Sequence, residues 1–284
     1  MLIWDIRFRK ICFNTNMMAV ITLLTDFGNQ DEYVGVMKGV ILSIAPYACL
    51  VDLTHEIDSQ DIVQGAYILA SAVKYFPSES IHLAVVDPGV GGERAAVAVR
   101  CRQHTFVAPD NGILSLILSE KIDTAVRIEN EALFQKPVSP TFHGRDIFAP
   151  VTAYLYAGNS MGHLGTMISA DKLVRLPQKA MEQQFKRKIE GRVVAIDRFG
   201  NLMTNIRAQT IDAFRSQYNA IGIWIGDTLI PTLSKTYSTV KENDLLALIG
   251  SRGYLEISIN LANAAKQLNI SKGDRVVVIP NKEI

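Results

Sequence analysis

The chain has 284 residues, 48% of them hydrophobic and 20% charged, a length that suits two medium domains and a composition too apolar for disorder. Lys and Arg number 29 against 28 Asp and Glu, a net charge of +1. That balance excludes the electrostatic footprint of a nucleic-acid or membrane-surface protein and leaves a small molecule as the expected partner. No apolar run approaches the length of a bilayer span. Cys12, Cys49 and Cys101 show no C-x-x-C spacing, so neither a disulfide framework nor a zinc ribbon is indicated, and a reducing, cytoplasmic setting is expected.

Met1 to Asn16 mix Trp4, Ile6 and Phe8 with Asp5, Arg7 and Arg9, which is no secretory signal. Residues 1–17 read as an extension ahead of Met18, either amphipathic or the product of a misassigned start, the second being favoured. Ala19 to Leu24 is an apolar run suited to a strand buried on both faces. Val34, Met37, Ile41 and Ile44 then form a helical stripe stopped by Ala45-Pro46. Cys49 to Leu53 reads as a second strand, Asp61 to Phe76 as a second helix closed by Pro77, and Ile81 to Val86 as a third strand. The βαβαβ alternation predicts a Rossmann-like α/β domain with a central, mostly parallel sheet.

Ala95 to Cys101 alternates like a strand, and Ile147 to Tyr156 is a further helix. Around Pro177, Gln178, Gln183 and Gln184 the pattern weakens, which places the α/β domain over 18–180 and a second domain over 189–284. In the latter, Val193 to Ile196, Ala220 to Ile225, Thr228 to Leu233, Leu245 to Ile249, Tyr254 to Ile259 and Arg275 to Ile279 are short strands punctuated by Gly226-Asp227 and Gly253. A small all-β domain is expected, which the resemblance described below implies is a barrel.

Ligands of parallel α/β sheets sit at the carboxyl ends of the strands. Here those ends carry Thr25-Asp26-Phe27-Gly28, Thr54-His55-Glu56, the run Asp87 to Arg94 and Pro109-Asp110-Asn111-Gly112. Any one such Asp is as readily a cap or turn former, but several converge on one edge. The glycines from Gly89 to Gly92 precede a strand instead of a helix, so they do not form a dinucleotide fingerprint. No Walker lysine is present, and His55-Glu56-Ile57-Asp58 lacks a zincin's second His. Phe142-His143-Gly144-Arg145-Asp146 places three ionisable side chains at a helix entrance, where a lone His is usually structural but an imidazole is also able to act as acid or base.

The runs Leu24 to Gly28, Asp52 to Ile57, Val85 to Gly91, Ala108 to Gly112 and Thr141 to Pro150, continued by Ile196 to Asn201 and Gly250 to Glu256, resemble the S-adenosylmethionine hydrolase (adenosine-forming) family. These proteins are also called S-adenosylmethionine hydroxide adenosyltransferases and are related to the fluorinase and chlorinase. The likeness spans nearly everything after Met18. It implies a homotrimer whose sites lie between the α/β domain of one subunit and the barrel of the next. It also implies a water-activating trio at Asp87, Arg94 and His143, a ribose-binding Asp26, and Asp31 toward the methionine portion. Asp197, Phe199, Asn201, Ser251, Arg252 and Asn263-Ala264 fall on the barrel side, the last pair near the adenine.

The halogenases carry Tyr where Asp87 stands and a halide-binding Ser where Gly144 stands, so the resemblance implies hydrolysis instead of halogenation. Tyr33 takes a position held by Ser in the fluorinase. The expected activity is cleavage of S-adenosylmethionine by water at C5′ to adenosine and methionine, with no cofactor or metal. The other readings of the same residues are a non-catalytic sensor of S-adenosylmethionine or adenosine, and a metal-dependent phosphohydrolase built on the strand-end acids.

Overall fold

A computed structural model describes residues 19–281; the extension expected over 1–17 lies outside them. The first half runs β1 (Val20–Thr25), α1 (Tyr33–Ile44), β2 (Cys49–Thr54), α2 (Ile62–Val73), β3 (Ile81–Val85), β4 (Ala96–Cys101), β5 (His104–Pro109), β6 (Ile122–Arg127) and α3 (Ala149–Tyr156). The six strands form one sheet in the order β2-β1-β3-β5-β4-β6. Pairings β1–β2, β1–β3 and β3–β5 are parallel, whereas β4 pairs antiparallel with both β5 and β6. The sheet is therefore mixed. The reversal follows from the two-residue link Arg102-Gln103, which is too short for a parallel crossover and closes a hairpin with Arg102 at φ 55°.

Helices cover both faces. Met37 and Ile41 of α1 pack with Phe148 and Val151 in one core, while Leu69 and Val73 of α2 pack with Val97, Val99 and Phe106 in the other. The helix α2 starts where the Asp61 side chain accepts from the Gln64 N–H at 2.9 Å, satisfying one of the orphan donors of a helix start.

The second half comprises β7 (Gln183–Phe185), β8 (Lys188–Ile196), β9 (Leu202–Arg207), α4 (Ala208–Tyr218), β10 (Ile221–Ile225), β11 (Thr228–Ile230), β12 (Leu245–Ile249), β13 (Tyr254–Ile259), α5 (Ala264–Leu268) and β14 (Arg275–Pro280). The path β11-β10-β14-β8-β9-β13-β12 is antiparallel throughout, with β7 on β8. The residues just after β11 return to β12 through a bridge between Leu233 and Ala247, so the sheet is nearly closed, as a barrel. Along β14, Val276 and Val278 turn into the core while Arg275 stays outside, the period-two signature of a strand with one buried face. The expectation of an all-β second half is corrected by α4 and α5. Ile211 and Phe214 of α4 complete the barrel core, a task the strands alone leave open.

The two halves meet through Tyr67, Val194, Ala195, Met203 and Tyr254. The Tyr67 and Tyr254 rings lie 5.2 Å apart, the Tyr67 hydroxyl donates to the Ala180 carbonyl at 3.0 Å, and Lys272 pairs with Asp61 at 2.5 Å and with Asp58.

Candidate active site

Asp26 and Asp87 leave the carboxyl ends of β1 and β3, which are neighbours in the sheet. Arg94 returns toward β4 from the glycine-rich loop, and its guanidinium grips Asp87: Nε donates to Oδ1 at 3.0 Å and Oδ2 at 2.9 Å, while Nη2 also reaches Oδ2. Nη2 lies 2.7 Å from Nδ1 of His143 as well. The Asp87 side chain is 4% exposed and that of Arg94 11%, and the Arg94 guanidinium carbon sits 5.3 Å from the centre of the Phe148 ring. The cluster is thus one guanidinium bridging a carboxylate and an imidazole.

Two loops must approach closely for this. Gly91 sits at φ 75°, and a Cβ there would fall 2.2 Å from the Pro140 carbonyl oxygen, so only glycine lets the Asp87–Arg94 loop rest on the segment leading to His143. Gly91, one of the glycines excluded above as a phosphate loop, therefore serves loop–loop packing. His143 itself precedes a single π-helical turn, Gly144–Phe148, that opens α3. Asp146 anchors that turn from full burial, accepting from Arg145 Nε at 2.6 Å and from the Ser139 N–H at 2.8 Å. Burial alone would raise its carboxyl, but those donors outweigh it and hold it below the usual range. His143 titrates below the ordinary imidazole range because it is partly desolvated and faces the Arg94 charge.

Around the cluster, Phe27, Tyr33 and Phe142 stack edge-on with ring centres 5.2 to 5.9 Å apart. A Cβ on Gly144 would lie 3.1 Å from Met37 Sδ, 3.2 Å from Phe142 and 3.4 Å from Phe27, so no side chain fits there without displacing neighbours. Asp26 accepts from the Gln60 N–H at 2.8 Å through one oxygen; its other oxygen has no partner among the described residues. Asp31 is exposed just ahead of α1.

Other strand-end groups turn to structural use. His55 is 2% exposed and bonded to Thr25 Oγ1 at 2.8 Å, and Asp110 accepts from the Val174 N–H at 2.9 Å with its carboxyl raised by burial. No group of three or more His, Cys, Asp or Glu side chains is assembled as a metal-ligand set among the described residues.

The barrel-side residues gather in a separate open cavity of about 740 Å³, lined by Asp197, Phe199, Asn201, Ser251, Arg252 and Asn263 among others. Asp197 organises its rim, accepting from the backbone N–H of Phe199 and of Asn201 and from the Asn201 amide, each at 2.9 Å. Gly200, at φ 90°, passes so close to Asn263 that a Cβ would fall 2.1 Å from its side-chain carbon. Ala264 lies behind the wall, its side chain fully buried. Phe199 and Leu261 are 75% and 81% exposed. Sequence reasoning missed Tyr237, whose hydroxyl donates to Glu256 at 2.6 Å in this cavity; burial and that carboxylate push its phenol up. Nothing in the local sequence around Tyr237 marks it. None of Asp87, Arg94 and His143 lines the cavity.

A mixed α/β sheet with a buried carboxylate–guanidinium–imidazole cluster at its strand ends, joined to an antiparallel barrel with an open polar cavity, has the makings of a small-molecule enzyme. The model of the SAM hydroxide adenosyltransferase N-terminal domain matches residues 21–165, and that of the C-terminal domain matches residues 191–277. The chain belongs to the SAM hydroxide adenosyltransferase family. It is 36% identical over 264 residues to the (R)-S-adenosyl-L-methionine hydrolase of Thermus thermophilus, covering 90% of this chain and 98% of that protein. It is also 36% identical over 281 residues to the enzyme of the same name from Methanocaldococcus jannaschii, covering 95% and 99%. An uncharacterized conserved protein from Thermotoga maritima has a crystal structure that superposes with a TM-score of 0.83 at 34% identity, over 92% of this chain and 100% of that one.

Proposed function

We propose that this protein hydrolyses S-adenosyl-L-methionine to adenosine and L-methionine, a water molecule attacking C5′ of the ribose. The observation that carries the chemistry is the position of Arg94 between Asp87 and His143. Because the guanidinium can only donate, Nδ1 of His143 accepts, and a neutral imidazole then carries its proton on Nε2. The lowered proton affinity of His143 favours that neutral form at pH 7. His143 Nε2–H holds the water oxygen, Asp87 takes the proton that the water loses, and Arg94 fixes both partners. The new bond joins the water oxygen to C5′, the C5′–S bond breaks, and its electron pair returns to sulfur as neutral methionine leaves.

A neutral thioether leaving group needs no acid, so most of the acceleration falls to positioning, which can contribute roughly 7–11 kcal/mol. Asp26 anchors the ribose hydroxyls through its unpaired oxygen, a charge-assisted contact, and Asp31 faces the methionine portion. Asp197, Phe199, Asn201, Ser251 and Arg252 form the adenosine-side wall, with Ala264 backing it. That wall comes from the next subunit of a homotrimer, a reading supported by the exposed Phe199 and Leu261 and by the absence of the Asp87 cluster from the barrel cavity. The halves 18–180 and 189–284 act as two domains, and no cofactor enters the scheme. Unpaired Cys49 and Cys101 fit a reducing cytoplasm.

The test is incubation with S-adenosylmethionine and chromatography of the products. Adenosine and methionine in equal amounts are expected. S-adenosylhomocysteine, methylthioadenosine or no product would overturn the proposal.

A further inference from the structure

A cavity of about 1000 Å³ lies away from the Asp87 cluster, in the cleft between α2, the β4–β5 hairpin and the barrel. In a chain of net charge +1, its walls bring together four permanent cations, Lys74, Arg102, Arg207 and Arg252, against a single lining carboxylate, Glu120. Arg102 is paired with Glu120 at 2.6 Å, and Arg207 with Glu182 at 2.9 Å. Lys74 and Arg252 have no carboxylate partner among the described residues. Arg252 finds only the Met203 sulfur, at 3.5 Å, a weak acceptor for a group with five N–H donors. The same cleft is backed by the buried apolar side chains of Phe106, Ile117 and Tyr254. Two uncompensated cations beside that apolar backing match a dianionic head on an apolar body.

We propose that the cleft is a second ligand site, binding a phosphate monoester with an apolar body, its phosphate held by Lys74 and Arg252. Arg252 lines the barrel cavity as well, so a bound phosphate draws on a guanidinium that faces the proposed substrate. Occupancy therefore weakens substrate binding. This coupling rests on the function proposed above, whereas the binding itself does not.

Isothermal titration of the full chain with phenyl phosphate tests the site directly. Binding at sub-millimolar concentration is expected, with inorganic phosphate weaker because it has no apolar body. Lys74→Ala, at an exposed position that lines only the cleft, should weaken phenyl phosphate binding at least tenfold and leave turnover of S-adenosylmethionine unchanged. No binding, or binding indifferent to Lys74→Ala, would overturn the cleft site, and equal affinity for inorganic phosphate would overturn the apolar half of the claim. Saturating phenyl phosphate should raise KM for S-adenosylmethionine several-fold in the native chain but not in Lys74→Ala. Binding with no change in KM would overturn the coupling through Arg252. A chain that binds phenyl phosphate but turns over no S-adenosylmethionine would keep the site and overturn the enzymatic reading.

Discussion

The sheet-edge cluster and the barrel cavity differ in how far their polar groups are satisfied within one chain. Asp87, Arg94 and His143 are bonded to one another, the first two with largely buried side chains and His143 partly exposed, on loops locked by Gly91 against Pro140. The barrel cavity has an equally ordered rim, tied by Asp197, but it opens to solvent between exposed Phe199 and Leu261. Preorganised donors and acceptors are what a chemical step requires, while an open wall with uncovered apolar side chains is what a recognition surface presents before its counterpart arrives. Under the proposed function, the contrast assigns the cluster to chemistry and the cavity to binding.

The largest effect should follow from breaking the cluster. Asp87→Ala and His143→Ala should each lower kcat by roughly 10²–10⁴ if they handle the water's proton, with little change in ligand affinity by calorimetry. Asp26→Ala should act on the other side of the comparison, raising KM about 10- to 100-fold through loss of a charge-assisted contact. Normal turnover in Asp87→Ala, or an unaltered KM in Asp26→Ala, would show that the division into chemistry and binding is misdrawn.

Asp26 and Asp87 were legible in the sequence because they directly follow apolar runs, and strand ends of such sheets converge, whereas Arg94 and His143 were joined to Asp87 only through the family resemblance. The same rule overreached at His55 and Asp110, which also follow strands but turn inward to bond Thr25 and Val174. Strand-end placement brings a side chain to the right edge; only the burial of the next loop decides whether it meets ligand or backbone. The antiparallel side of the sheet was less legible, since Ile122 to Arg127 carries a weak alternation and no turn marker. Helix α4 was hidden because β9 runs straight into it without Gly or Pro, its N-terminal residue being Ala208. Tyr237 reaches the barrel cavity only through the closure of the sheet, a long-range consequence with no local trace.

A tenfold effect, in stability, separates two histidines of the first half. His82 lies in the core, bonded to Thr22 Oγ1 at 2.7 Å, and burial pushes it down to about 3; His143, at the site, is lowered as well. A histidine of depressed proton affinity in the folded state is protonated first in the unfolded chain. Its stabilising neutrality is complete above the unfolded value near 6.5 and is lost progressively as pH falls below it. The unfolding free energy obtained from urea titrations should drop between pH 6 and 5, by at most about 1.4 kcal/mol per pH unit for each such histidine. His82→Asn should flatten that slope, and an identical slope in the variant would remove His82 from the account. Turnover, by contrast, should hold steady through the ordinary imidazole range and decline only below it, because His143 remains neutral there.

The smallest effect sharpens the comparison most, because it asks whether the two regions that the proposed function brings to one substrate belong to different chains. Asp87→Ala disables the cluster and leaves the barrel intact; Asn201→Ala removes the amide that Asp197 holds at the cavity rim and leaves the cluster intact. When the two variants are mixed in equal amounts under subunit exchange, at a substrate concentration where neither alone turns over appreciably, a site built between neighbours draws each half at random. About a quarter of sites then combine an intact cluster with an intact barrel wall, whatever the number of subunits in a closed head-to-tail ring. Activity should recover to about a quarter of the native value, a fourfold deficit against a background of nearly none. If each site lay within one chain, every site in the mixture would keep one lesion and nothing would return. Proven exchange without recovery would place both regions of a site in the same subunit, and the open barrel wall would then need another explanation than a neighbouring copy.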